Sequence, residues 1–247
     1  MKLYVYYLSG GSSVQEAESV SGVAGGAVRL MSAGQLTVAV SEFAGDAVAI
    51  TRENVLAHER VVRSVLRHTT PLPFRFGTLA TEAQLQSYLQ SQQELLQSKL
   101  QFVSGCVEMS VKIIWPGADA NREVPAFRIN HSLDSRKDGA GAAFLKAKRR
   151  EGLGEQIATA KATEIASWLK ARLAPSIRKD QVTIRSQDKL VLAAAYLVDR
   201  SFLDNYRLEL RKARDERPDL HFLTSGPWPP YSFVNIDLEF KTQFGVS

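Results

Sequence analysis

A cysteine beside a histidine is the simplest route to nucleophilic chemistry, because an imidazole that takes the thiol proton leaves a strong nucleophile. This sequence has one cysteine, Cys106, and four histidines, His58, His68, His131 and His221. Cys106 opens an apolar alternation running to Ile113, where a thiol is an inert core group, so a Cys106–His131 dyad is set aside. No histidine stands at metal-ligand spacing from a carboxylate or from Cys106, and His58 and His68 are ten residues apart on one helical stretch. One cysteine cannot form an intrachain disulfide or a multi-cysteine cluster. Gly139-Ala140-Gly141-Ala142-Ala143-Phe144 imitates a phosphate loop but lacks a third glycine and follows no strand, so it reads as a helix entry. The residue types thus predict no catalytic residue, no metal and no cofactor.

Two segments carry recognition chemistry instead. In Pro71-Leu72-Pro73-Phe74-Arg75-Phe76-Gly77-Thr78 an arginine stands between two phenylalanines. In Gly226-Pro227-Trp228-Pro229-Pro230-Tyr231-Ser232-Phe233-Val234 three prolines interleave with three aromatics. The fixed φ and missing amide donors of Pro227, Pro229 and Pro230 favour an extended, polyproline-like arm rather than a sheet strand. Such an arm packs either on another part of its own chain or on a partner. Phe74, Arg75, Phe76, Trp228, Tyr231 and Phe233 are therefore the candidate interdomain or partner-binding residues, since aromatics and arginine dominate interface energetics. Arg75, drawn toward buried surface by its neighbours, is expected to hold backbone carbonyls or a carboxylate.

A third feature is electrostatic. Lysine and arginine number 31 against 26 aspartate and glutamate, and much of the excess lies between Lys137 and Arg172. Lys146, Lys148, Arg149 and Arg150 form a docking patch or a solvated helix face. As an RNA-binding surface the patch would need exposed aromatics on the adjoining strands, and only Tyr196 is available. An RNA-binding module using this basic helix face is kept as the alternative function, while the main expectation includes no nucleic-acid partner.

The elements that must position these residues follow from periodicity. The 247 residues, 45% hydrophobic and 23% charged, suit a globular chain of one or two domains. The N-terminus resembles no signal peptide, and no apolar run approaches the length that spans a membrane, so no membrane span and a cytoplasmic location are expected. Lys2 to Leu8 reads as a strand, 27–31 and 35–41 as a hairpin, and Val14 to Val20 as at most a weak helical turn. Thr51 precedes a helix with Val55, Val62, Val65 and Leu66 on one face, stopped before Pro71. A single helix from Thr81 carries Leu85, Leu89, Leu96, Leu100 and Val103. Beyond Ser104-Gly105 the reading is a strand from Val107 to Ile113, a loop at 118–141, a helix at 142–173, strands at 181–185 and 190–198, a helix from Ser201 with Phe202, Leu203, Tyr206 and Leu210 inward, and a strand at 220–224. That β-α-β-β-α-β order is the ferredoxin-like one. The expectation is an α+β protein of two domains: 1–105, a small sheet with helices; 106–225, ferredoxin-like; and a Pro/aromatic arm, 226–247, packing back on the N-terminal domain.

The motif Leu223-Thr224-Ser225-Gly226-Pro227-Trp228-Pro229-Pro230-Tyr231-Ser232-Phe233, with Pro73-Phe74-Arg75-Phe76-Gly77-Thr78, His58-Glu59-Arg60-Val61 and Ala195-Tyr196-Leu197-Val198-Asp199-Arg200, resembles the gas vesicle protein L/F family across nearly the whole chain. Ser225 departs from a pattern in which glycine and proline more often follow threonine directly. The resemblance implies a two-domain α+β protein with a ferredoxin-like C-terminal domain. It also implies a non-enzymatic accessory or minor structural protein of gas vesicle assembly, associated with gas vesicles, whose partners are the hydrophobic major shell protein and other gas vesicle accessory proteins.

Overall fold

The computed structural model describes residues 1–11, 20–115, 140–184 and 190–236, with backbone only for 140–155, 157, 190 and 191. The expected turn at 14–20 save Val20, the loop at 118–139, the connection at 186–189, His131 and the side chains of Lys146, Lys148, Arg149 and Arg150 lie outside the described residues. Two compact units form. Of the described residues the first comprises 1–11, 20–109, 197–200 and 226–236, the second 110–115, 140–184, 190–196 and 201–225.

The first unit is built on β1 (Lys2–Gly10), β2 (Val28–Ala33), β3 (Leu36–Phe43), β4 (Leu72–Pro73) and β5 (Leu79–Ala80). The strand order is β2-β3-β1-β4, with β5 also paired to β1. Ala33 faces Leu36 across the β2–β3 turn, and Gly34 supplies the left-handed residue there at φ +61°. The β1–β3 register shifts between Val5 and Tyr7, a bulge at Tyr6. Regular alternation would place Tyr4 and Tyr6 on one face and Tyr7 on the other. The bulge instead brings all three into one cluster and leaves Leu3, Val5 and Leu8 for the opposite one.

Helices cover both clusters. α1 (Arg52–Val65) starts at Thr51, whose hydroxyl accepts from the Asn54 amide at 3.2 Å, and buries Ala57, His58, Val61, Val62 and Val65 against the tyrosines. Val55, expected inward, is 41% exposed, because the buried stripe runs through 58, 61, 62 and 65, a turn away from it. On the other side the expected single helix is two, α2 (Glu82–Ser91) and α3 (Gln93–Val103), broken at Gln92 with φ −112° and ψ 13°. The break falls where the apolar stripe lapses between Leu89 and Leu96, so no buried side chain holds the halves in line. Thr81 and Gln84 form a reciprocal capping box at the start of α2.

In the second unit the element order is β6 (Cys106–Ile114), α4 (Ala140–Leu173), β7 (Ile177–Ile184), β8 (Leu190–Asp199), α5 (Leu203–Glu216) and β9 (His221–Trp228), the ends of β6, β8 and β9 belonging to the first unit. The sheet order is β7-β8-β6-β9. β8 is an inner strand, as its unbroken apolar run requires, with Leu192, Ala194 and Tyr196 buried. Ala162, Ile165, Leu169 and Leu173 form the inward stripe of α4, and Tyr206, Leu210 and Ala213 that of α5. Phe202, expected inward, precedes the α-helix in a 3-10 turn and is 50% exposed. Asn205 Nδ2 donates to Ser176 Oγ at 2.7 Å, Lys170 pairs with Asp180, and Arg217 lies over Trp168 at 5.5 Å.

Candidate functional site

All six residues selected by type belong to the first unit. Phe74 is fully buried, its ring edge-on to Tyr88 at 6.5 Å, and its amide donates to the Tyr6 carbonyl at 2.9 Å. Phe76 joins the opposite cluster, 6.3 Å from Tyr4 and 5.9 Å from His58 between ring centroids. Two phenylalanines two residues apart thus reach opposite faces of one sheet. The chain switches face at Arg75 because a turn at 76–77, with Gly77 at φ +87°, separates β4 from β5. Arg75 points to neither core. It is exposed, and its Nη2 donates to Asn235 Oδ1 at 3.0 Å.

The segment after β9 returns along the same unit. Trp228 ends the strand half-buried with the Arg63 guanidinium 5.2 Å above its ring. The extended polyproline-like reading is corrected at 226–228, where Gly226, Pro227 and Trp228 continue β9. β9 is the outer strand of its sheet, and an outer strand accepts a proline whose missing donor faces no neighbour. Past Trp228 the backbone turns: the Tyr231 amide donates to the Pro229 carbonyl, and those of Phe233 and Val234 to the Pro230 carbonyl. Pro229, Pro230, Val234 and Ile236 are buried, and Phe233 packs partly buried against the Leu3–Val5–Leu8 cluster. The Lys99 ammonium donates to the Asn235 carbonyl.

Two titratable groups clamp this turn. Glu108, 6% exposed on β6, accepts at 2.7 Å from both the Ser232 amide and the Ser232 hydroxyl. Burial raises its pKa, and the two hydrogen bonds pull it partly back. His58 on α1 meets the Tyr4 hydroxyl through Nδ1 at 2.8 Å and the Tyr231 hydroxyl through Nε2 at 3.4 Å. Burial lowers its pKa to about 4, so the ring is neutral at pH 7. The Tyr4 hydroxyl also accepts from the Gly77 amide at 3.1 Å, so both motif segments meet at one tyrosine–histidine relay.

This arrangement holds backbone in place. Cys106 is buried, its carbonyl accepting from Thr70 Oγ1 at 2.7 Å. Among the described residues no group of three or more histidine, cysteine, aspartate or glutamate side chains is placed to hold a metal ion. Sequence reasoning passed over Glu108 and Asn235. Glu108 occupies a polar position in the alternation of β6, so nothing local marks it, and nothing local marks Asn235.

Residues 2–235 match the sequence profile of the family described as gas vesicle synthesis protein GvpL/GvpF. Gas vesicle protein F1 of Halobacterium salinarum is 29% identical over 199 residues, covering 79% of this chain and 75% of that protein. The crystal structure of the gas vesicle protein GvpF from Anabaena superposes with a TM-score of 0.79 at 19% identity, over 96% of this chain and 97% of that one. The GvpF structure from Microcystis aeruginosa gives 0.74 at 16% identity, over 95% and 99%. Both share the fold.

Proposed function

Because this chain belongs to the gas vesicle synthesis protein GvpL/GvpF family, we propose that it is a non-enzymatic assembly protein that binds the hydrophobic major shell protein of gas vesicles and keeps it soluble or nucleates its assembly. The profile match over residues 2–235 is the observation that carries this reading. A shell that excludes water needs a subunit with extensive apolar surface, and such a surface aggregates until it is covered. A soluble partner answers that need. We read the β-α-β-β-α-β unit as ferredoxin-like and the 226–236 segment as an arm that returns to the N-terminal domain. In this reading the exposed edges of the clamp, Tyr231 and Arg75, contact the partner, while Phe74, Phe76, Trp228 and Phe233 fix the backbone that presents them. Lys146, Lys148, Arg149 and Arg150 guide docking, and their replacement by glutamine slows association more than it weakens the complex.

The RNA-binding alternative loses its one stacking candidate, since Tyr196 is fully buried and no base can reach its ring. Among the described residues no helix is long and apolar enough to cross a membrane. The test is a pull-down with the tagged full chain from cells making gas vesicles. The reading requires the shell protein to co-purify at moderate salt. Recovery of RNA alone, with a steep inverse salt dependence, would overturn it.

A further inference from the structure

Beside α1 the first unit has a cleft of about 770 Å³ lined by four arginines, Arg60 and Arg63 from α1, Arg67 from the turn just past it and Arg200 from the turn after β8. Val20 and Pro227 add apolar wall. Two of the arginines have partners: Arg63 lies over Trp228 and 3.4 Å from Glu59, and the Arg200 guanidinium donates to the Leu66 carbonyl just past α1. Arg60 and Arg67 are exposed and have no hydrogen bond or ion pair among the described residues. Arg60 and Arg63 share one face of α1 and Arg67 follows in its closing turn, four residues past Arg63, and like charges at such spacing repel. Nothing in the clamp requires this concentration of charge.

We propose that this cleft binds an acidic, extended segment of a partner protein, its carboxylates taken by Arg60 and Arg67 and an apolar side chain between them set against Val20 and Pro227. Arg67 follows Arg60 by seven residues in the turn that closes α1, where Leu66 keeps right-handed helical dihedrals, so the two stand about 10 Å apart along the helix direction. Same-face residues of an extended chain recur at about 7 and 13 Å, and arginine side chains reach across that difference. A pattern of acid, spacer, apolar, spacer, acid therefore fits. The guanidinium fork pairs with a carboxylate through two hydrogen bonds. A single phosphate would leave the apolar wall of Val20 and Pro227 unused. The lining contains no aromatic side chain on which a nucleic-acid base would stack. This inference is independent of the assembly reading and concerns the purified chain alone.

The test is fluorescence anisotropy of a labelled peptide with Glu-Thr-Leu-Thr-Glu at its centre, titrated with the full chain at low salt. The R60Q/R67Q variant is expected to weaken binding at least tenfold. R211Q/R214Q, which removes the same charge from exposed positions of α5, should leave affinity within twofold. R60K/R67K keeps the charge without the fork and should fall between. Because Arg60 and Arg67 have no described partners, the melting temperature of R60Q/R67Q should equal or exceed that of the parent. Equal weakening by both glutamine pairs, or no weakening by either, would overturn the proposal. So would a glutamine variant that melts lower, displacement of the peptide by inorganic phosphate at 10 mM, or tighter binding of an oligouridine at the same arginines.

Discussion

His58 is buried at 4% exposure between two tyrosine hydroxyls, and its chemistry sets how the fold responds to acid. Its pKa stands at about 4 in the folded chain against an ordinary 6.5. Between those values the unfolded chain takes up a proton that the folded chain refuses. The stability contribution is therefore full above pH 6.5 and is lost as pH falls toward 4, by at most about 3 kcal/mol. Glu108 acts in the opposite sense: burial raises its pKa, so its contribution is full below the ordinary carboxylate value and fades as pH rises through the raised one. Urea midpoints from pH 7 to pH 4.5 should fall in the parent and fall less steeply in His58→Gln. Parallel slopes would remove His58 as the cause. The aromatics of the two motifs differ in kind. Phe74→Ala empties a fully buried position and should cost about 3–5 kcal/mol, whereas Trp228, half-buried under Arg63, should cost about 1–3 kcal/mol on truncation. Chemical denaturation of the two variants decides, and equal losses would contradict the burial difference. Side-chain type alone marked both residues as important, but their burial depends on the face switch at Arg75 and on the strand that ends at Trp228.

At the scale of elements, the sequence was most legible where one period ran uninterrupted. The strand at β1, the hairpin at β2 and β3, the helix that starts after Thr51 and the apolar run of β8 all follow from local pattern. It was least legible where the tertiary environment overrode that pattern. The bulge at Tyr6 reassigns Tyr7 to the other face, and only the partner strand reveals it. The break at Gln92 splits a helix rich in leucine, glutamine and glutamate, all good helix formers. The three prolines argued against a strand, yet β9 runs through Pro227 because it is an outer strand. Gly226 belongs to that same stretch. It has φ +123°, and a Cβ there would lie 2.8 Å from the Glu108 carbonyl oxygen and 2.9 Å from Met109 Sδ. Gly226→Ala should therefore destabilise by about 2–4 kcal/mol, since backbone conformation and backbone contact both oppose the added methyl group. A thermal melt within error of the parent would show that β9 yields locally. The Glu108 clamp was not legible, because a glutamate at a polar position of a strand is ordinary until the turn at 231–233 is placed over it.

For the whole molecule, the family and the mixed α+β class were legible from the two motifs and the order of elements, and the role within gas vesicle assembly rests on the proposed contact with the shell protein. That contact is argued to be apolar burial around aromatic anchors, which weakens little with salt. The central claim is tested most directly by co-expressing the full chain with the major shell protein and measuring the shell protein in the soluble fraction at low and moderate salt. The account predicts a shift from the insoluble to the soluble fraction that survives the added salt and is lost when Phe74→Ala unfolds the clamp. A shell protein that stays insoluble at both salt concentrations, beside a folded and abundant chain that does not bind it, would contradict the account.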